Sequence, residues 1–97
     1  MTVRYVAIID VPAAGTAAFD AYEAAVLPLL TAHGGTLERR LRHRAGDGGW
    51  TEIHVIGFAS ADGLASYRQD PARAAAAALL QTSGAQTRLV PVDDVGP

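Results

Sequence analysis

The chain has no cysteine, which excludes disulfides, thiolate metal sites and a cysteine nucleophile. It has no excess of positive charge: a formal net charge of -2 and a pI near 5.8 give no reason to expect nucleic acid or an anionic membrane as a partner. No apolar run approaches the roughly 20 residues of a membrane span. Met1-Thr-Val-Arg-Tyr5 lacks the long apolar stretch of a signal peptide, so a cytoplasmic protein is expected. The histidines, His33, His43 and His54, are ten and eleven residues apart, with no His-x-His or His-Glu-x-x-His arrangement, and no metal is expected. Gly46-Asp-Gly-Gly49 is not followed by a helix and does not read as a phosphate loop. Ser60 and Ser83 have no His–Asp partners at a suggestive spacing. No cofactor is expected.

What is present is apolar mass in small pieces. Hydrophobic residues make up 49% of the 97 residues. That is enough for one domain, read as residues 1–95 with 96–97 as a tail. Much of it is alanine, which contributes little area, and a domain this small buries a modest fraction of its surface. A second copy of the chain is therefore expected to complete the core.

Val3–Val11 is β-branched and aromatic with few polar positions, and Pro12 ends it. It reads as a central strand covered on both faces. Phe19, Tyr22, Val26, Leu30 and His33 recur at helical spacing between Thr16, an expected N-cap, and Gly34, a natural stop. Pro28 lies inside that pattern and should kink the helix, because it removes a backbone donor. Thr36–Arg44 and Trp50–Phe58 form a hairpin about Asp47-Gly48, a strong turn signal. Ser60 can cap a short helix holding Leu64 and Tyr67. Asp70-Pro71 starts another, which continues through the Ala74–Ala78 run. Gln86–Val92 is a final strand. The order is the ferredoxin-like βαββαβ plan, an α+β fold with a four-stranded antiparallel sheet and both helices on one face.

A two-residue loop at Asp47-Gly48, or a four-residue loop over 46–49, gives one pairing. His43 faces Glu52, Leu41 faces His54, Arg39 faces Ile56 and Leu37 faces Phe58, and alternation puts all of them on one side of the sheet. Arg40, Arg42 and Arg44 then share the other side with Ile53 and Val55. No aromatic residue interleaves with that arginine stripe. It reads as charge protecting an edge strand rather than as a phosphate contact. The His43/Glu52 pair near the tip reads as solvent-exposed and worth well under ~1 kcal/mol.

Phe19-x-x-Tyr22, Pro28-x-x-x-x-His33-Gly-Gly35, Thr51-Glu-Ile-His-Val-Ile-Gly-Phe58 and Tyr67-x-x-Asp70-Pro71 together resemble the DUF1330-type branch of the dimeric α/β-barrel superfamily. The resemblance covers nearly the whole chain. It implies a ferredoxin-like protomer, a homodimer whose sheets pack face to face, and a ligand cavity between each sheet and its helices. Relatives across that superfamily include antibiotic-biosynthesis monooxygenases, polyketide cyclases, muconolactone isomerases, haem-degrading enzymes and proteins of no known activity. The fold therefore does not decide the function.

With that cavity implied, the side bearing His54 turns toward the helices. His54 would be an imidazole in a mainly apolar pocket shaped by Tyr22, Tyr67, Leu41, Ile56 and Phe58, with Trp50 at the pocket mouth or the dimer rim. Burial would keep it neutral, as a general base requires. Arg39 would stabilise a developing oxyanion. The expected protein is a small-molecule-binding homodimer and a cofactor-independent enzyme of cyclase, isomerase or monooxygenase type. Its substrate would be a carbonyl-bearing or aromatic, polyketide-like metabolite. The alternative is a non-catalytic module that binds a ligand or another protein. There His54 is a hydrogen-bonded core residue, the tyrosines are packing and Arg39 reaches solvent.

Overall fold

Strands β1 (Val3–Val11), β2 (Gly35–Arg44), β3 (Trp50–Phe58) and β4 (Gln86–Val92) pair antiparallel in the order β2-β3-β1-β4. Helices α1 (Thr16–Val26), α2 (Ala61–Arg68) and α3 (Pro71–Ser83) complete the ferredoxin-like plan. The structure is a computed structural model and describes residues 2–97; Met1, part of the expected domain, lies outside the described residues. The core lies between sheet and helices. Ala7, Ile9 and Val11 of β1 pack with Phe19 of α1 and Trp50 of β3, while Leu30, Ile56, Phe58 and Tyr67 form a second cluster. The alternate residues Val6, Ile8, Ile53 and Val55 lie on the other side of the sheet, which no element among the described residues covers, and stay half-buried.

Local signals explain most of the boundaries. Pro28 acts as expected: α1 stops at Val26 and the chain tightens into a 3-10 helix over Leu27–His33. Gly34 ends it at φ 71, its N–H reaching the carbonyls of Leu30 and Thr31. Asp70 caps α3 by accepting from the Ala72 N–H at 2.9 Å, with Pro71 in the first turn. Thr16 is not the N-cap that its sequence position implies. It is the first residue of α1, and Gly15 stands at the cap after a 3-10 turn over Ala13–Gly15. The reason is a close approach: a Cβ on Gly15 would lie 1.7 Å from the carbonyl oxygen of Ser83.

The hairpin overturns the expected register. Its loop has three residues, 46–48, closed by Ala45 and Gly49: the Ala45 N–H donates to the Gly49 carbonyl at 2.8 Å. Gly48 takes φ 94, and the Asp47 carboxylate accepts from the Gly49 N–H at 2.9 Å. A turn followed by a left-handed glycine is the usual three-residue hairpin. An odd loop changes the parity of every pair beyond it. Arg44 faces Trp50, Arg42 faces Glu52 and Arg40 faces His54, while Leu41 faces Ile53 and Arg39 faces Val55. A bulge between Leu37 and Arg39 then returns Leu37 to the helix side, opposite Ile56. Arg40, Arg42 and Arg44 thus lie on the helix side with Glu52 and His54. Arg39, Leu41 and His43 lie on the open side.

Candidate functional site

Four neighbouring residues of β2 and β3, Arg40, Arg42, Glu52 and His54, build a polar cluster under α1. The Glu52 side chain is fully buried. One carboxylate oxygen accepts from Arg40 Nε at 2.8 Å and from His54 Nε2 at 2.6 Å; the other accepts from Arg42 Nε at 2.8 Å. Arg42 also donates to Asp20 of α1 at 3.1 Å and lies flat over the Trp50 ring, 3.8 Å from its centre. Burial alone would push the Glu52 carboxyl up. The bonds from His54, Arg42 and Arg40 outweigh burial and hold it below the ordinary carboxylate range. The His54 imidazole, 2% exposed, is pushed down by burial against the opposing pull of Glu52. It is therefore neutral near pH 7, with Nε2–H donating to Glu52 and Nδ1 carrying no hydrogen bond.

His54 forms part of the wall of a cavity of about 200 Å³ between the sheet and the helices. Most of that wall is apolar: Ala7, Ile9, Ile56, Phe58, Leu80 and Leu89 contribute to it. Polar side chains from the helices join His54 there: Tyr22 and Glu23 of α1, Tyr67 and Arg68 of α2 and Arg73 of α3. Glu23 is 5% exposed, and burial with the nearby Glu52 charge pushes its carboxyl up to about 7. Arg73 donates to the Tyr22 hydroxyl at 2.9 Å and stacks 4.5 Å above the Tyr67 ring, while its Nε is buried without a partner. Tyr67 donates its hydroxyl to the Val26 carbonyl at 3.1 Å, and burial pushes its pKa up to about 12.

The residues expected at the site divide cleanly. His54, Tyr22, Tyr67, Ile56 and Phe58 meet at the cavity. Arg39 does not: it faces Val55 on the open side of the sheet, because the odd loop reverses β2. Leu41 is there too, 46% exposed. Trp50 is buried beneath Phe19, away from the cavity, and borders a shallow cleft at the turn end of the hairpin. The expected exposed pair of His43 and Glu52 does not form; His43 faces Thr51 and Glu52 faces Arg42. Of the arginines read as edge protection, Arg40 and Arg42 instead clamp the buried acid, and Arg44 lies 5.5 Å from the centre of the Trp50 ring. Glu23 and Arg73 were not among the expected residues. Glu23 carried a signal, since it falls between Phe19 and Val26 on the apolar stripe of α1. Arg73 carried none, sitting in an alanine-rich helix with no partner visible in sequence. His33 lies elsewhere, bonded to Ser66 through Nδ1 and to Asp70 through Nε2 at 2.7 Å, and it clasps the 3-10 segment to α2 and α3.

The strand order, the helices on one face and the cavity between them define a ferredoxin-like α+β fold. Solved structures carry the same fold. A protein of unknown function from Rhodopseudomonas palustris, RPA0582, superposes with a TM-score of 0.76 at 15% identity, over 99% of this chain and 84% of that one. SnoaB, a cofactor-independent oxygenase from Streptomyces nogalater, gives 0.69 at 21% identity, over 99% and 97%. A proposed antibiotic biosynthesis monooxygenase from Caulobacter crescentus gives 0.68 at 17%, over 96% and 91%. No family model matches the chain, and no curated protein does. Among the described residues, no helix is long and apolar enough to cross a membrane.

Proposed function

We propose that this chain is a cytoplasmic homodimer of the DUF1330-like branch of the superfamily. It acts as a cofactor-independent enzyme on a carbonyl-bearing or aromatic, polyketide-like metabolite, with His54 as general base. The observation that carries the reading is the Glu52–His54 pair at the cavity wall. A carboxylate that two arginines keep ionised holds the imidazole by Nε2–H, which fixes the tautomer and leaves Nδ1 basic. In the reaction, Nδ1 takes a proton from the carbon beside a carbonyl. The C–H electron pair becomes a C=C bond, and the carbonyl π pair moves onto oxygen. Glu52 stabilises the imidazolium. Arg73 takes over the oxyanion role expected of Arg39, because its guanidinium borders the cavity. The existence of cofactor-independent oxygenases on this fold supports the class of chemistry.

The test is proton exchange. Enolisable aromatic ketones that fit the cavity, 2-tetralone and 2-indanone among them, are incubated with the protein in D2O, and loss of the α-proton signal is followed by NMR. Exchange above the buffer rate is expected, and His54→Asn should lower it by roughly 100-fold or more. Undiminished exchange in that variant would falsify the role of His54. The second reading, a non-catalytic module, draws on the same bond: Glu52 satisfies a buried histidine. It predicts no exchange with any ketone, and a stability loss as the main effect of His54→Asn.

A further inference from the structure

We propose that the cavity selects a neutral ring compound carrying both a ketone and a hydroxyl, with Arg73 donating to the ketone oxygen and Glu23 bonding the hydroxyl. This rests on the reading of the cavity as a small-molecule site and adds the class of compound. Two polar groups on its wall are short of protein partners. Glu23 makes no hydrogen bond or ion pair among the described residues, although it is 5% exposed. The Arg73 Nε–H is buried and unpartnered. Buried polar groups are almost always bonded, and each one left bare costs several kcal/mol at the upper end. Arg73 is also held in place for a ligand, by the Tyr22 hydroxyl and by the Tyr67 ring beneath it.

The chemistry of the two groups narrows the ligand. A guanidinium only donates, so it calls for an oxygen acceptor. A carboxyl accepts from a hydroxyl when ionised and donates to it when protonated. A simple ketone satisfies Arg73 and leaves Glu23 bare. A carboxylate ligand would bring negative charge toward Glu23 and, behind it, Glu52. A hydroxy-ketone satisfies both groups without adding charge. Most of the rest of the wall is aliphatic or aromatic and suits a ring, with Arg68 and Thr87 as further polar groups on it. A cavity of 150 Å³ admits benzene, so about 200 Å³ takes one substituted ring or a small bicycle. Its ketone would bring an adjacent C–H to the cavity that His54 borders.

Titration calorimetry of the intact protein tests the class with 3- and 4-hydroxyacetophenone, the parent acetophenone, and 3-hydroxybenzoate. A hydroxy-ketone is expected to bind about tenfold more tightly than acetophenone and 3-hydroxybenzoate, the order that one hydrogen bond to a buried partner supplies. Glu23→Leu removes an unpaired carboxyl, is expected to fold at least as well, and should reduce that preference to less than threefold. Arg73→Met should weaken acetophenone and both hydroxy-ketones. Binding preference and α-proton exchange are read separately in the unaltered protein, so failure of the catalytic reading and failure of this one are separate results. Equal affinities in the unaltered protein, no saturable binding of any probe, or an undiminished preference in Glu23→Leu would each overturn the proposal.

Discussion

Two glutamates in neighbouring parts of the core behave in opposite ways, and each makes a pH prediction. Glu52 is clamped by Arg40, Arg42 and His54, and its carboxyl is held low. Its stabilisation is present above the ordinary value near 4.5 and is lost as the pH falls through the lowered folded value. Glu52→Ala should reduce stability by about 3 kcal/mol at pH 7, read from urea unfolding, because it breaks a buried pair from one side. Glu23 is raised to about 7, so the folded chain holds a proton that the unfolded chain releases from about 4.5 upward. Stability contributed at Glu23 therefore falls between those values. His54, pushed down, slopes the other way below its ordinary 6.5, and a single scan would mix the two. Comparison with Glu23→Gln isolates the first. The variant should match the parent near pH 5 and exceed it by roughly 2–3 kcal/mol at pH 8. A constant difference would contradict the burial argument. At this scale His54 was legible, since strand alternation placed it with Ile56 and Phe58. Glu23 was less so: an acid in an apolar stripe is normally discounted, and only the helix packed against the sheet shows that it turns into the cavity wall.

At the scale of elements, boundaries followed from single residues. Pro28, Gly34, Asp70-Pro71 and the apolar run of β1 each act as their chemistry dictates. Loop parity did not. Asp-Gly signals a turn without fixing whether two, three or four residues close it, and the three-residue solution depends on Gly48 reaching φ 94 and on the Ala45–Gly49 bonds. The bulge before Arg39 was equally silent; its extra residue, Glu38, finds a partner only across the sheet, in Arg4 at 2.9 Å. Two changes test this account. Gly48→Ala should lower stability by about 1 kcal/mol through the left-handed backbone alone, measured by denaturant midpoint. Deletion of Gly46 should do far more. It would turn Arg40 and Arg42 away from Glu52, and the loss of the buried clamp should appear as a broadened or early thermal transition. A deletion variant as stable as the parent would show that the clamp matters little.

For the whole molecule, the telling fact is thickness. The protomer measures 40 × 36 × 17 Å, a slab with helices on one side only. On the other, Val6, Ile8, Ile53, Val55, Val90 and Val92 are half-buried and Leu41 is 46% exposed. An apolar sheet face of this kind calls for a partner. Sedimentation should give twice the protomer mass, and Val55→Glu should shift it to the monomer while leaving the cavity ligands of the opposite side able to bind. A monomeric parent chain would refute the homodimer. The apolar open face was readable from β1, whose residues line both sides of the sheet. Which residues of β2 would share that face was not, because it waited on the hairpin.

The odd loop and the bulge work like two compensating frameshifts. Between them, six residues of β2, Arg39 to Arg44, are read in one frame; outside them, Leu37 is read in the other. Gain or loss of a single codon at the loop would exchange Arg40 and Arg42 for Arg39, Leu41 and His43 on the helix side without altering one amino acid. A lineage could thereby strip the clamp from Glu52, or restore it, in one mutational event that no substitution matrix would score as a change of chemistry.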